Sequence, residues 1–213
     1  MGLTIHYDLK YGGKEPAKVL EQLRQKAMDL PFAEVSPVVY HFKGKDADWQ
    51  NHDRESDFAW PLIQATRYVE YGRYHIGVVP KEVYFFNTWP GDECEEANFG
   101  LAKYPATLTF YGRKIPTRFG NGWIWHSFCK TQYASNISRE HFLRCHLSVC
   151  LLLKEAEKMD LLKRVHDEGK FWDKWDFDAL VEEVFEWNEM VKSNVRQLKT
   201  WFGEDNVISP IKD

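Results

Sequence analysis

Leu3-Thr4-Ile5-His6-Tyr7-Asp8-Leu9-Lys10-Tyr11 opens the chain with strict alternation, and the next twenty residues change period. Leu3, Ile5, Tyr7, Leu9 and Tyr11 fall on one face and Thr4, His6, Asp8 and Lys10 on the other, which is the pattern of a strand with one side on a core. Gly12-Gly13 turns the chain. Pro16 then stands where a first helical residue belongs, and Leu20, Leu23, Ala27 and Leu30 form a helical stripe that stops before Pro31. A second strand is expected at about 35–43, so the chain begins strand–helix–strand. From Lys43 to Asp57 the sequence is almost wholly polar and reads as a mobile surface loop.

The middle, about 60–135, is rich in aromatics, prolines and glycines. Strands are expected at 74–79, 83–88, 98–103, 106–111 and 122–133, separated by turn signals at Trp89-Pro90-Gly91-Asp92, Tyr111-Gly112 and Gly120-Asn121-Gly122. Spacings this short favour antiparallel hairpins. The last third is helical. Ser138 is placed to cap a helix running to about Asp160, and its middle, from Phe142 to Leu153, is apolar all round. Such a helix is buried between two layers or against a partner subunit. A strand at 161–167 and a long helix over about 178–202, capped by Asp176 or Asp178, complete a single α+β domain spanning 1–213: a mostly antiparallel sheet with three main helices.

Composition bounds the function. The chain has 213 residues, with 28 basic and 32 acidic side chains. That balance lacks the basic footprint of a nucleic-acid binder. Its longest apolar run, Val149 to Leu153, is far short of the ~20 residues that cross a bilayer, so no membrane partner is expected. The N-terminus has no secretory pattern, and Cys94, Cys129, Cys145 and Cys150 form no regular framework, which together predict reduced thiols and a cytoplasmic location. No GxxxxGK[ST], GxGxxG, HExxH or GxSxG signature is present, so no cofactor is expected.

Four constellations could carry chemistry. In the strand at 122–133, alternation places Ile124, His126, Phe128, Lys130 and Gln132 on one face and Cys129 on the other, which separates His126 from Cys129 as a nucleophile pair. The His126/Lys130 face leads through Tyr133, Ser135 and Asn136 to the start of the apolar helix, where Ser138, Arg139 and His141 stand. Amides at a helix start attract anions, so Gln132, Ser135, Asn136, Ser138, Arg139 and His141 are candidate ligand contacts for a small anionic molecule. His6 or His126 would serve as base, Lys130 as electrostatic stabiliser and Tyr133 as orienting donor, in hydrolysis or group transfer. His6 and Asp8 share a strand face and gain weight as a pair only if that strand lies beside the one carrying Lys130.

The remaining constellations are weaker. His141 and Cys145, four apart on one helical edge, or His146 and Cys150, four apart on another, could share a zinc ion completed by Cys129 or Cys94, with His141, Cys145 and Cys129 the leading set, although each cysteine also suits a core. His166-Asp167-Glu168 ends the late strand in a polar turn. Trp123, Trp125, Trp172, Trp175, Trp187 and Trp201 could line a pocket, with packing the simpler role for Trp187 and Trp201. The contrasting function is a non-catalytic protein that uses the 142–153 helix and its aromatic surface for a homodimer or another partner, or a zinc-stabilised module. The opening Gly2-Leu3-Thr4-Ile5-His6-Tyr7, the stretch Cys129-Lys130-Thr131-Gln132-Tyr133-Ala134-Ser135 and Phe142-Leu143-Arg144-Cys145-His146 resemble a group of uncharacterised bacterial proteins. That resemblance spans both ends of the chain and implies no activity.

Overall fold

The computed structural model describes residues 3–202 together with Ser209 and Ile211; of Trp187, Trp201 and Phe202 it describes the backbone alone. The expected packing of the Trp187 and Trp201 side chains therefore lies outside the described residues.

Strand β1 (Thr4–Tyr11) is followed by helix α1 (Pro16–Met28), with Pro16 at the first helical position and Leu20, Leu23 and Ala27 buried along its stripe. The expected strand at 35–43 is two short ones, β2 (Glu34–Val35) and β3 (Tyr40–Lys43). Pro37 lies in the gap, where a residue with no backbone N–H cannot continue a ladder. The polar stretch after β3 is more structured than expected. It contains two 3₁₀ turns, Gly44–Ala47 and Trp49–Asn51, the second capped by the Asp48 carboxylate accepting from the Gln50 amide. Ala47 is buried there.

Helix α2 (Ala59–Ala65) leads into two hairpin strands, β4 (Arg67–Tyr71) and β5 (Tyr74–Val78). Next come β6 (Glu82–Trp89), β7 (Ala97–Lys103), a second small hairpin of β8 (Thr107–Phe110) and β9 (Arg113–Pro116), and β10 (Trp123–Lys130). A 3₁₀ turn (Gln132–Asn136) connects to helix α3 (Arg139–Lys158), then β11 (Leu162–Asp167), the single-turn α4 (Phe171–Lys174) and α5 (Phe177–Phe202).

The main sheet runs β11-β1-β10-β7-β6, and β2 and β3 both pair with the outer edge of β6. Every pairing is antiparallel. The fold is thus α+β with a mostly antiparallel sheet, and α1, α3 and α5 are its three long helices. β1 sits between β10 and β11, which brings the first strand beside the one carrying His126 and Lys130. Helix α1 lies against β6 and β7, and α3 lies against α1, β11 and α5. Phe142, Cys145, Val149, Cys150, Leu152, Leu153 and Ala156 of α3 are all buried within this chain. On the other side of the helix Leu143, Leu147 and Leu151 are partly buried.

Backbone packs directly on a ring where β7 meets β10. Gly100 lies against Trp125, and a Cβ at that position would come within 2.7 Å of the indole. Trp125 is fixed in turn by donating from Nε1 to the Asn98 carbonyl at 2.8 Å.

Candidate functional site

The alternation of β1 turns Leu3, Ile5, Tyr7 and Leu9 into the core and leaves His6, Asp8 and Lys10 on the opposite face. Register then decides which groups meet them. Asp8 stands opposite His126 of β10 on one side and Arg164 of β11 on the other, and His6 stands opposite Phe128 and His166. Two adjacent rungs cross three strands: His126–Asp8–Arg164, which carries charge, and Phe128–His6–His166, which carries rings. The β1–β11 register shifts between Asp8 and Leu9, immediately past the charged rung.

The geometry is tight. His126 Nδ1 lies 2.7 Å from Asp8 Oδ1, and Arg164 donates from Nε to Asp8 Oδ2 at 2.9 Å, with Nη2 also 2.9 Å from that oxygen. Burial alone would raise the Asp8 carboxyl, but the His126 hydrogen bond and charge, with Arg164 and Lys163, outweigh it and hold Asp8 below its ordinary value. Asp8 is therefore an ionised acceptor near neutral pH, so Nδ1 of a neutral His126 carries the proton. That leaves the lone pair on Nε2, which has no hydrogen-bond partner among the described residues. A carboxylate that fixes the tautomer in this way leaves the other nitrogen poised to take a proton.

In the neighbouring rung the His6 ring centroid is 5.8 Å from Phe128 and 6.1 Å from His166. Burial lowers the His6 pKa; Glu168, with Oε1 at 3.9 Å from Nε2, pulls it up, and His126, His166 and Arg164 push it down. Its folded value is below the ordinary 6.5, so the ring is neutral at pH 7 and can give or take a hydrogen bond. A cavity of about 280 Å³ opens over both rungs, lined by His6, Tyr7, Asp8, His126, Arg164 and His166. Trp60 of α2 extends the aromatic side, its ring edge-on to Phe128 at 6.3 Å.

The structure thus unites His6 and His126, but it places the other expected contacts elsewhere. Alternation in β10 holds through Lys130 and ends there. Gln132 enters the 3₁₀ turn and is buried, its Oε1 accepting from the Leu3 amide and its Nε2 donating to Asn188. Ser135 donates to the Gln132 carbonyl and accepts from Asn188, and Asn136 closes the same turn. Lys130 donates to the Tyr133 hydroxyl at 3.0 Å with its ammonium 4.4 Å above that ring, so each occupies the other.

At the start of α3, Ser138 accepts from the His141 amide, while Arg139 reaches Asp178. The Glu140 carboxyl is held low by its own backbone amide and by Ser138, so the helix start is served by oxygens of this chain. His141 bonds the Asp92 carbonyl and Arg144. None of Lys130, Gln132, Tyr133, Ser135, Asn136, Ser138, Arg139 or His141 lines the His6/His126 cavity.

The expected zinc set does not assemble. Cys145 Sγ is 3.6 Å from His141 Nε2, as helical spacing requires, but Cys129 donates to the Glu95 carbonyl. Among the described residues, the group of three metal-type ligand atoms lying within 4.8 Å of one another is His146, Cys150 and Asp167. Both imidazole nitrogens there are already engaged: Nδ1 with Thr131 Oγ1 at 2.8 Å and Nε2 with Asp167 Oδ2 at 3.1 Å. Asp167 also accepts from the Gly169 and Trp172 amides. Thr131, His146 and Asp167 resemble a hydroxyl–imidazole–carboxylate relay. Thr131 and His146 are fully buried, however, so no substrate reaches them, and the network instead ties β10, α3 and the end of β11 together.

Arg164 is the site residue that sequence reasoning missed, and His166 was read only as part of a turn. Their two-residue spacing in β11 matches His6/Asp8 and Phe128/His126. Only strand order and register bring those spacings into line. No protein-family model, curated protein or solved structure matches the chain.

Proposed function

We propose that this protein binds a small anionic molecule on the open face of β11-β1-β10 and transforms it by hydrolysis or group transfer with His126 as base. Asp8 orients His126 and balances the imidazolium formed when Nε2 takes a proton. Arg164 clamps Asp8 and offers its exposed guanidinium edge to the anion; neutral His6 supplies a further hydrogen bond, and His166 lies beside it. The single observation that carries the reading is the 2.7 Å bond between His126 Nδ1 and Asp8 Oδ1, with Arg164 on the second carboxylate oxygen. A carboxylate aimed at one imidazole nitrogen leaves the other free for proton transfer.

Turnover of p-nitrophenyl phosphate and p-nitrophenyl acetate by wild type, His126→Gln and Asp8→Asn tests the chemistry. The expected result is turnover of one ester class by wild type. Its rate should fall about 10²–10⁴-fold in His126→Gln, the range of a lost general base. Equal rates in wild type and His126→Gln would refute the assignment.

A further inference from the structure

Two hairpins stand outside the main sheet, β4–β5 and β8–β9, each a separate two-stranded ribbon. They meet near their tips. Arg113 Nη1 donates to the Tyr71 hydroxyl at 3.4 Å, and the Phe110 ring lies 5.3 Å from Tyr74 and 6.5 Å from Tyr71. Their charge is unlike that of the chain. Residues 67–78 and 107–118 carry five basic side chains, Arg67, Arg73, Arg113, Lys114 and Arg118, against one carboxylate, Glu70, whereas the whole chain has 28 basic and 32 acidic ones. Among the described residues none of the five is ion-paired; Glu70 lies instead 3.9 Å from His75.

The same surface displays rings that folding leaves uncovered. Tyr111 is 83% exposed and Tyr68 66%, with Tyr74 and Tyr71 at 41% and 38%. Tyr111 and Gly112 link β8 to β9 with φ of 46° and 73°. A two-residue turn with both φ positive is ordinarily filled by Asn-Gly, because a bulky side chain in the left-handed region is strained. Tyrosine there carries that cost and gains little burial, so packing does not account for it. A cavity of about 520 Å³ opens between the hairpins, and Tyr68, Tyr71, Lys114 and Arg118 lie on its wall.

We propose that the two hairpins form a docking surface for single-stranded nucleic acid. The unpaired cations meet successive phosphates, and the exposed tyrosine rings stack on unpaired bases, with Arg73, 5.4 Å from the Tyr74 ring centroid, bridging the two kinds of contact. Each cation alone is well solvated, so the surface suits a polyanion rather than one small anion. A duplex keeps its base faces stacked internally and offers these rings nothing. A membrane-docking tip would present apolar side chains for insertion, whereas the four exposed rings all carry hydroxyls. The surface shares no residue with the His6/His126 cavity. The acidic remainder of the chain hides it from any reading of net charge.

The test is fluorescence anisotropy of a labelled oligothymidylate of about 12 nucleotides, titrated with the folded full chain at low and moderate salt. The expected result is a saturable rise whose affinity falls with salt, the log–log slope becoming shallower by about 0.7 in Lys114→Gln. Tyr111→Asn places a residue that suits the left-handed turn, so it keeps the hairpin while removing the ring; it should weaken binding about five- to a hundredfold. Tyr68→Ala, at an exposed position away from the turn, should weaken it in the same range. Absence of a rise would overturn the proposal. So would full affinity in both tyrosine variants, equally tight binding of a duplex of the same length or of heparin, or capture of phosphatidylserine vesicles without capture of the oligonucleotide.

Discussion

Asp167 shows how one residue can look functional and serve the fold. Its side chain is fully buried, its two oxygens accept from His146, Gly169 and Trp172, and nothing outside the protein reaches it. Burial alone would raise its carboxyl, but the His146 bond and charge and the two amides outweigh that and hold it below its ordinary value. Removing one member of such a buried pair strands the other, so Asp167→Ala should cost about 3–5 kcal/mol in urea unfolding at pH 7. The sign of its pH dependence follows from the depressed folded value. The contribution is complete above the unfolded value of about 3.9 and is lost as pH falls through the folded one. The gap between wild type and Asp167→Ala should therefore narrow below pH ~4. Asp8 is depressed in the same direction, but it faces a cavity, and that difference in access separates the network from the candidate site.

Helix and strand boundaries follow local chemistry, which makes the elements testable one at a time. Ser138 Oγ accepts from the His141 amide at 3.0 Å at the head of α3, so Ser138→Ala should lower stability by about 1 kcal/mol, read as a shifted urea midpoint with unchanged slope. Gly100 in β7 tolerates no side chain against Trp125. Gly100→Ala should cost about 1–3 kcal/mol by forcing the ring or the strand aside, measured by the same unfolding curves. Long elements with a clean period were legible from sequence: β1 by alternation, α1 by its stripe and Pro16, α3 by its cap and apolar run. Short ones were not. Helix α2 has only seven residues with Pro61 inside it, and β4 and β9 sit in small hairpins whose side chains are largely exposed, so little burial pattern marks them. Gln132 continued the β10 alternation on paper, yet its hydrogen bonds to Leu3 and Asn188 reward the turn that takes it off that face.

Across the molecule, the helices α1 and α3 seal one side of the sheet, and the opposite side of β11, β1 and β10 keeps polar groups partly in reach of solvent. Strand order, not any single stretch, makes the candidate site: residues 8, 126 and 164 meet because β1 pairs on both edges. That pairing is non-local, which is why His6 and His126 were legible as candidates while Asp8's true partner and Arg164 were not. The same topology leaves the start of α3 occupied by Ser138 and Glu140. An anion should therefore go to the histidine face. Titration of the folded protein with inorganic phosphate, followed through the ¹⁵N resonances of its histidine rings, tests this most directly. His6, His126 and His166 should shift together and saturate, and Arg164→Ala should abolish the response. Rings that stay fixed, or exposed His75 moving as far as His126, would contradict it.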